Sequence, residues 1–93
     1  MTATIEIPSA LQKFVDNKLK IEVPGDNVRE AINNLIKAHG GLKEHLFDEQ
    51  GRIRSFVNIY LNDEDVRFLN QLDTALKEGD VLSILPALAG GAP

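Results

Sequence analysis

Two adjacent glycines, Gly90 and Gly91, are the residues of this chain with the clearest potential for chemistry, and they lie close to its last residue, Pro93. Glycine has no Cβ atom, so a glycine tip lets the main chain enter a narrow site and leaves its carbonyl carbon open to attack. The pair could therefore form the tip of a flexible arm that enters another protein's site. The same residues could instead form a disordered end without a role, and the residues before them must decide between the two.

The segment before the glycines is suited to present them. Pro86 fixes one backbone dihedral and cannot donate a hydrogen bond to a sheet, so it marks the end of the preceding strand. From Pro86 to Gly91, an extended arm spans about 17 Å. Leu88 lies within this arm and contributes about 1.5 to 3 kcal/mol if a partner pocket buries it. We therefore predict a folded domain over residues 1–85 and a flexible C-terminal tail over residues 86–93.

The composition of the chain limits the classes of function. A length of 93 residues is that of a single domain. The chain has no cysteine, which excludes a disulfide or a nucleophilic thiol of its own, and its net charge of -4 disfavours binding to nucleic acid. It has neither a basic leader nor a long apolar run, so we expect no membrane association and a cytoplasmic location.

The titratable residues do not predict a metal site or a catalytic centre. His39 and His45 lie near a helix end without cysteine or a nearby third ligand. The acidic turn at residues 62–65 lacks the spaced oxygen ligands and the distal glutamate of a calcium loop. Because no nucleophile, metal cluster or phosphate-binding loop is visible, we expect a protein that is not an enzyme and binds no cofactor itself.

Alternating apolar residues predict the strands that must position the tail. They cover residues 2–7, 18–23, 53–61 and 81–85, with a short strand at 66–68. The connection at residues 9–17 is long for a tight hairpin, and we expect it to fold back onto the sheet edge. In the second strand the residues predicted to face the core are Leu19, Ile21 and Val23.

One main helix is predicted after Asn27. Asn27 and Glu30 have the spacing of a capping box, apolar residues recur after them at helical period, and Gly40 and Gly41 end the helix. The order of elements indicates an α+β domain in which this helix covers one face of a mixed sheet of four to five strands. The first and last strands are expected to be parallel neighbours at its centre. This arrangement is the β-grasp, or ubiquitin-like, fold.

The sheet face opposite the helix is the predicted docking surface. If Leu82 and Ile84 face the helix, the alternate residues of that strand face a side that no second helix covers. Exposed apolar clusters of this kind often mark interaction sites. A shift of one residue in the strand phase would instead place them in the core. The predicted docking patch consists of Phe56, Tyr60, Val81 and Leu85.

Two stretches of the chain, residues 56–68 and 79–91, resemble the ubiquitin-like sulfur-carrier proteins. This group includes the small subunit of molybdopterin synthase and the carriers of thiamine and cysteine synthesis, and both stretches are most similar to the cysteine-synthesis type. A double glycine alone is weak evidence. A double glycine that follows a Gly-Asp turn, a strand and a proline is much more specific.

The resemblance implies a protein substrate rather than a catalyst. An E1-like activating enzyme, using ATP and magnesium, would adenylate the Gly91 carboxylate, and sulfur would replace AMP to give a thiocarboxylate. A second enzyme would then take the sulfur for biosynthesis. In the cysteine-synthesis branch the acceptor is an activated serine on a pyridoxal-phosphate enzyme, and in other branches it is a precursor of molybdopterin or of the thiamine thiazole.

The last two residues, Ala92 and Pro93, depart from the family pattern, because these carriers need a free carboxylate on the second glycine. As written, Gly91 is joined to Ala92 by an amide and cannot be adenylated. We predict that a tail-trimming metallopeptidase, plausibly zinc-dependent, cleaves after Gly91 and before Ala92. The alternative is that Pro93 is the true end of a carrier that has lost activity, or an artificial addition.

Two further functions stay open for the same tail. A protein modifier would become joined through Gly91 to lysine amines, and a ubiquitin-like adaptor would carry an inert tail. The carrier and the modifier share the activation step and differ in the product. An adaptor would keep its function without Gly90 and Gly91.

Overall fold

A mixed five-stranded sheet organises residues 1–86, the part of the chain that the computed structural model describes. The strands are β1 (Thr2–Glu6), β2 (Lys20–Pro24), β3 (Val57–Leu61), β4 (Glu64–Asp65) and β5 (Val81–Pro86). The α-helices are α1 (Val28–Ala38) and α2 (Lys43–Leu46). Short 3₁₀ helices occupy Ser9–Val15, Gly40–Leu42, Val66–Phe68 and Gln71–Asp73.

The strand order across the sheet is β2-β1-β5-β3-β4. β5 pairs in parallel with β1, through Thr4 opposite Val81, and all other neighbouring strands are antiparallel. The prediction of an α+β β-grasp fold with a central parallel pair is confirmed. The strand that leads into the tail is therefore held on both sides, at the centre of the sheet.

Alternation along the two central strands places their apolar side chains in one core. Ala3 and Ile5 of β1 are fully buried, as are Leu82 and Ile84 of β5. They belong to the same cluster as the buried residues of α1, so the helix covers this face of the sheet. The predicted phase of the last strand is correct.

The helix α1 begins as the sequence predicts. The backbone N–H of Glu30 donates to Asn27 Oδ1 at 2.8 Å, which supplies one of the hydrogen bonds that a helix start lacks. The Glu30 carboxylate accepts from the N–H of Asp26, at 2.9 Å, rather than from the N–H of Asn27 as in a regular capping box. The side chains that α1 buries are Val28, Ala31, Ile32 and Leu35.

The connection between β1 and β2 folds back as a 3₁₀ helix that buries Leu11 and Val15. It ends in Asp16 and Asn17, with φ angles of 57° and 62°, which reverse the chain in the left-handed region. Within residues 1–86, none of the helices has the length and apolar character that a membrane crossing requires.

The prediction for Leu19 is wrong. β2 starts at Lys20, two residues later than predicted, and the Leu19 side chain is 65% exposed instead of facing the core. Its carbonyl still accepts a hydrogen bond from the N–H of Ile7, at 2.8 Å, so the backbone stays beside β1. Val23 is buried and Ile21 half-buried, as the alternation predicts.

The third strand is shorter than predicted, and β3 starts at Val57 rather than at residue 53. The chain turns just before it, because the N–H of Val57 donates to the carbonyl of Arg54 at 2.9 Å. Ile53 instead forms an isolated antiparallel bridge with Phe47. Phe56 consequently lies in the turn before the strand and not at the strand's centre.

The segment Val66–Phe68 is a 3₁₀ helix and not the predicted strand. The Asp65 carboxylate accepts a hydrogen bond from the N–H of Arg67 at 2.9 Å, a short-range bond that favours a helical turn over an extended chain. The short strand of this region is Glu64–Asp65, inside the segment predicted to be a polar turn.

Candidate functional site

The tail begins where β5 ends. β5 includes Pro86, one residue beyond the predicted strand, and Pro86 pairs with Val57, the first residue of β3. The residue before it, Leu85, pairs with Asn58. The last described residue of β5 therefore lies beside the start of β3.

The residues predicted to do the chemistry lie beyond this point. Leu88, Gly90, Gly91, Ala92 and Pro93 are outside the described residues. Their roles, the cleavage after Gly91 and the division into a domain and a tail stay predictions. The structure instead defines the platform from which the tail starts.

The beginning of β5 is fixed by a polar brace to the hairpin between β3 and β4. Asn62 Nδ2 donates to Asp80 Oδ1, and the N–H of Val81 donates to Asn62 Oδ1, both at 3.0 Å. Asp80 Oδ2 also accepts from the N–H of Lys77 at 2.8 Å. Asn62 and Asp63 have φ angles of 49° and 75°, the left-handed values that two-residue hairpin turns require. Sequence reasoning identified the turn but missed this role of Asn62.

The brace predicts a dependence of stability on pH. The Lys77 N–H, together with the Asn62 side chain, holds the pKa of Asp80 below its ordinary value of 3.8. The folded pKa is thus below the unfolded one, so this stabilisation is present above about pH 4 and is lost as the pH falls through the folded pKa. We expect Asp80→Asn to lower the melting temperature at pH 7 by about 4 to 8 °C, since weakening a charge-assisted hydrogen bond costs about 1 kcal/mol.

Thermal unfolding of both proteins between pH 7 and pH 2.5 measures this effect. The difference in melting temperature should shrink below about pH 4, because Asp80 is then protonated in the wild type too. Glu49→Gln removes one exposed carboxylate elsewhere and is the control. A difference that stays constant over the whole range would show that the Asp80 charge does not carry the stabilisation.

The sheet face opposite α1 carries the predicted docking patch. Leu85 and Phe56 are each 47% exposed, while Tyr60 and Val81 are half-buried. The buried neighbours of three of these residues face α1, so the side chains on the opposite face are those of Tyr60, Val81 and Leu85. Phe56 is exposed in the turn before β3. Leu85 stands directly before the residue where the tail begins, so this surface adjoins the start of the tail.

A shallow depression of about 680 Å³ on this face includes Tyr60, Leu85 and Leu19. Leu19 was missed as a candidate, because alternation alone assigns it to the core. Polar groups border the depression: Ser83 Oγ donates to Glu6 Oε1 at 2.8 Å, and the ammonium of Lys20 lies 4.0 Å from the Glu6 carboxylate. An apolar centre with a polar border suits protein docking.

Of the two histidines considered as metal ligands, His45 has an aromatic neighbour. The His45 ring packs against that of Phe14, with 4.5 Å between the ring centroids. Among residues 1–86, no three histidine, aspartate or glutamate side chains are grouped to hold a metal ion. The described part of the site therefore consists of the end of β5 and the partly apolar sheet face beside it.

The comparisons with known proteins agree with this geometry. The sequence pattern of the ThiS family matches residues 5–91. The sulfur carrier protein CysO of Mycobacterium tuberculosis is 41% identical over 93 residues, which cover 98% of this chain and 100% of that protein.

Solved structures extend the similarity to the fold. A chain in the crystal structure of the Amycolatopsis orientalis BexX/CysO complex superimposes with a TM-score of 0.87 and 40% identity, covering 96% of this chain and 99% of that one. The small archaeal modifier protein 1 of Methanosarcina acetivorans gives a TM-score of 0.87 at 25% identity, over 97% and 96% of the two chains. The family match, the identity over the whole length and the shared fold make this chain a member of the ThiS family of ubiquitin-like sulfur carriers.

Proposed function

We propose that this protein carries sulfur as a thiocarboxylate on Gly91, after removal of Ala92 and Pro93. The observation that supports this most is the extent of the family match, which ends at residue 91 and leaves the last two residues outside it. The chain itself is then a substrate and not an enzyme. We place the cycle in the cytoplasm, where ATP and the biosynthetic enzymes are available.

The proposed chemistry needs an activated carboxylate. The Gly91 carboxylate oxygen attacks the α-phosphate of ATP on an E1-like enzyme with magnesium, pyrophosphate leaves, and a mixed anhydride with AMP forms. A sulfur nucleophile then attacks the acyl carbon and AMP leaves, so that sulfur takes the place of one carboxylate oxygen. Gly90 and Gly91 give the enzyme access to this carbon because they have no side chains.

The proposed partners fit the way the domain presents its tail. β5 lies at the centre of the sheet, so the domain stays folded outside a partner while the residues after Pro86 extend into it. Leu88 is the proposed apolar grip within the partner. The exposed side chain of Leu85, directly before the tail, gives the activating enzyme a surface to hold.

The relative named CysO suggests the cysteine-synthesis branch, in which a pyridoxal-phosphate enzyme accepts the sulfur. Molybdopterin or thiamine synthesis is the alternative destination. We further propose that a zinc-dependent peptidase removes Ala92 and Pro93 before activation.

A protein-modifier function is the second candidate, because the superimposed archaeal protein is named a modifier. In that case the activated Gly91 would be transferred to a lysine amine. The product would be an isopeptide-linked conjugate that resists reductants, whereas a thiocarboxylate leaves the chain unconjugated.

The intact mass of the protein purified from its native host tests this proposal. We expect a chain that ends at Gly91 and is heavier than the free acid by about 16 Da, the difference between sulfur and oxygen. A thiocarboxylate on the full chain, with Ala92 and Pro93 attached, would exclude trimming as a requirement. Recovery of Gly91 only in lysine conjugates would favour the modifier, and an unaltered chain under all sulfur conditions would favour an adaptor.

A further inference from the structure

All four arginines of the chain line a single groove of about 550 Å³ between α1 and β3. Arg29 comes from α1, Arg52 and Arg54 from the loop before β3, and Arg67 from the 3₁₀ helix after β4. In the described part of the chain, neither a carboxylate nor a lysine lines this groove. The protein as a whole has a net charge of -4, yet all four of its guanidinium groups belong to residues that line this one groove.

The floor of the groove is apolar. Ile53 and Leu72 are half-buried there, and deeper residues of β3 and of the following 3₁₀ helix close the bottom. An apolar floor with a cationic rim fits an extended segment that carries both acidic and apolar side chains. The buried residues of the floor are Val57, Ile59 and Val66.

Two of the four arginines already have carboxylate partners. Arg29 pairs with Asp73 at 3.2 Å. Arg67 pairs with Asp65 at 2.8 Å, an ion pair that raises the pKa of Arg67. Their charges are largely balanced within the domain.

Arg52 and Arg54 differ, because neither forms an ion pair with any residue in the range 1–86. Arg54 Nε donates to the carbonyl of Glu44 at 2.8 Å, which orients the guanidinium and leaves its other N–H groups available. The nearby Asp48 carboxylate accepts instead from backbone N–H groups of Gln50 and Arg52, at 2.9 and 3.0 Å. The rim therefore offers two guanidinium groups that form no ion pair within residues 1–86, although the charge of both helps to lower the pKa of the Asp48 carboxyl, after the backbone N–H of Arg52.

The groove also adjoins the start of the tail. Val57 forms part of its floor and pairs with Pro86, the last residue of β5. An enzyme that holds the tail is therefore brought up to the groove.

We propose that this groove binds an acidic, partly apolar segment of a partner protein, with Arg52 and Arg54 pairing with its carboxylates. The identification of that partner as an enzyme that accepts the tail rests on the proposed function. The binding of an acidic segment does not, because the groove lies wholly within residues 29–72. A failed sulfur assay would leave the test below unaffected.

Titration of the ¹⁵N-labelled full chain, followed by NMR, tests the proposal with three probes. The first is a hexapeptide that alternates glutamate and leucine, the second has glutamine in place of each glutamate, and the third is inorganic phosphate. We expect the acidic peptide to shift the amide signals of Ile53, Val57 and Leu72, with binding that weakens as salt is raised. The glutamine peptide should bind at least about fivefold more weakly.

Variants with two substitutions each show which residues bind the acidic peptide. Replacing both Arg52 and Arg54 by glutamine should weaken binding of the acidic peptide by about fivefold to thirtyfold. Replacing both by lysine keeps the charge and should retain most of the affinity, which guards against a loss caused by unfolding. The matched control Lys37→Gln with Lys43→Gln removes the same charge at exposed residues outside the groove and should change binding by less than about twofold.

Three outcomes would overturn the proposal. Equal binding of the glutamine peptide would show that the carboxylates are not recognised. An equal loss of peptide affinity in the Lys37→Gln with Lys43→Gln control would show that only the net charge of the protein matters. Phosphate that shifts the same signals and displaces the peptide at equal concentration would identify a site for small anions instead.

Discussion

A chain that ends at Gly91 is expected to become a thiocarboxylate when it meets its activating enzyme, ATP and a sulfur source, whereas the 93-residue chain is not. The reason is chemical, because in the longer chain the Gly91 carbonyl belongs to an amide and offers no oxygen for adenylation. The carboxylate of Pro93 is no substitute, since it stands about 7 Å farther along an extended arm. Intact mass measures the result, as a gain of about 16 Da in one chain and none in the other.

A chain that ends at Gly90 is the control for arm length. It has a free glycine carboxylate but is shorter by about 3.4 Å, which removes the acyl carbon from a site built to hold it within a fraction of that distance. We expect its rate of activation to fall at least about a hundredfold. Equal activation of the 91- and 93-residue chains would contradict the trimming step, and equal activation of the 90-residue chain would contradict a fixed arm.

Replacing either of two neighbouring residues of β5 by alanine is expected to have opposite consequences for stability and for binding, because the two side chains lie on opposite faces of the sheet. Ile84 is 1% exposed and Leu85 is 47% exposed. Ile84→Ala leaves a cavity in the core and should lower the free energy of unfolding by about 2 to 5 kcal/mol. Since small domains have a stability of about 5 to 15 kcal/mol, the variant loses a large part of the total. Leu85→Ala should change stability by less than about 1 kcal/mol.

Binding to the activating enzyme should show the reverse order. Leu85→Ala removes exposed apolar surface beside the tail and is expected to raise the Kd, or the KM for the carrier, by about tenfold. Ile84→Ala should leave either constant within about twofold at a temperature where the variant is folded. Urea unfolding and titration with the enzyme together measure both effects. A Leu85→Ala chain that binds normally would remove Leu85 from the docking patch.

Local patterns were sufficient for most of the scaffold. The alternation in β1 and β5 and the Asn27 cap of α1 follow from short-range rules of side-chain direction and hydrogen bonding. The central position of β5 follows from the order of the elements. The position of the strand that leads into the tail is thus predictable from the sequence alone.

The errors arose where local hydrogen bonds and turns overrule alternation. The Asp65 carboxylate bends residues 66–68 into a 3₁₀ helix, and the bond between Val57 and Arg54 delays the start of β3. Leu19 stays exposed because the left-handed residues before it bring the chain late into β2. No periodicity in the sequence signals any of these three features.

The arginine-lined groove could not be predicted, because its four charges come from three separate segments of the sequence. Arg52 and Arg54 look like scattered surface charge until the fold places them beside Arg29 and Arg67. In contrast, Gly91 was identified by its neighbours along the chain. The prediction for Gly91 rests on the local sequence, whereas the groove depends on the tertiary fold.

The central position of β5 has a mechanical consequence. A force applied through the residues after Pro86 acts along β5, whose hydrogen bonds to β1 and β3 run across the direction of pull. These bonds must be sheared together rather than opened one at a time, as they would be in a strand peeled from a sheet edge. A partner that pulls on the tail therefore loads the hydrogen bonds on both sides of β5 at once, which resists unfolding better than an edge strand held on one side would.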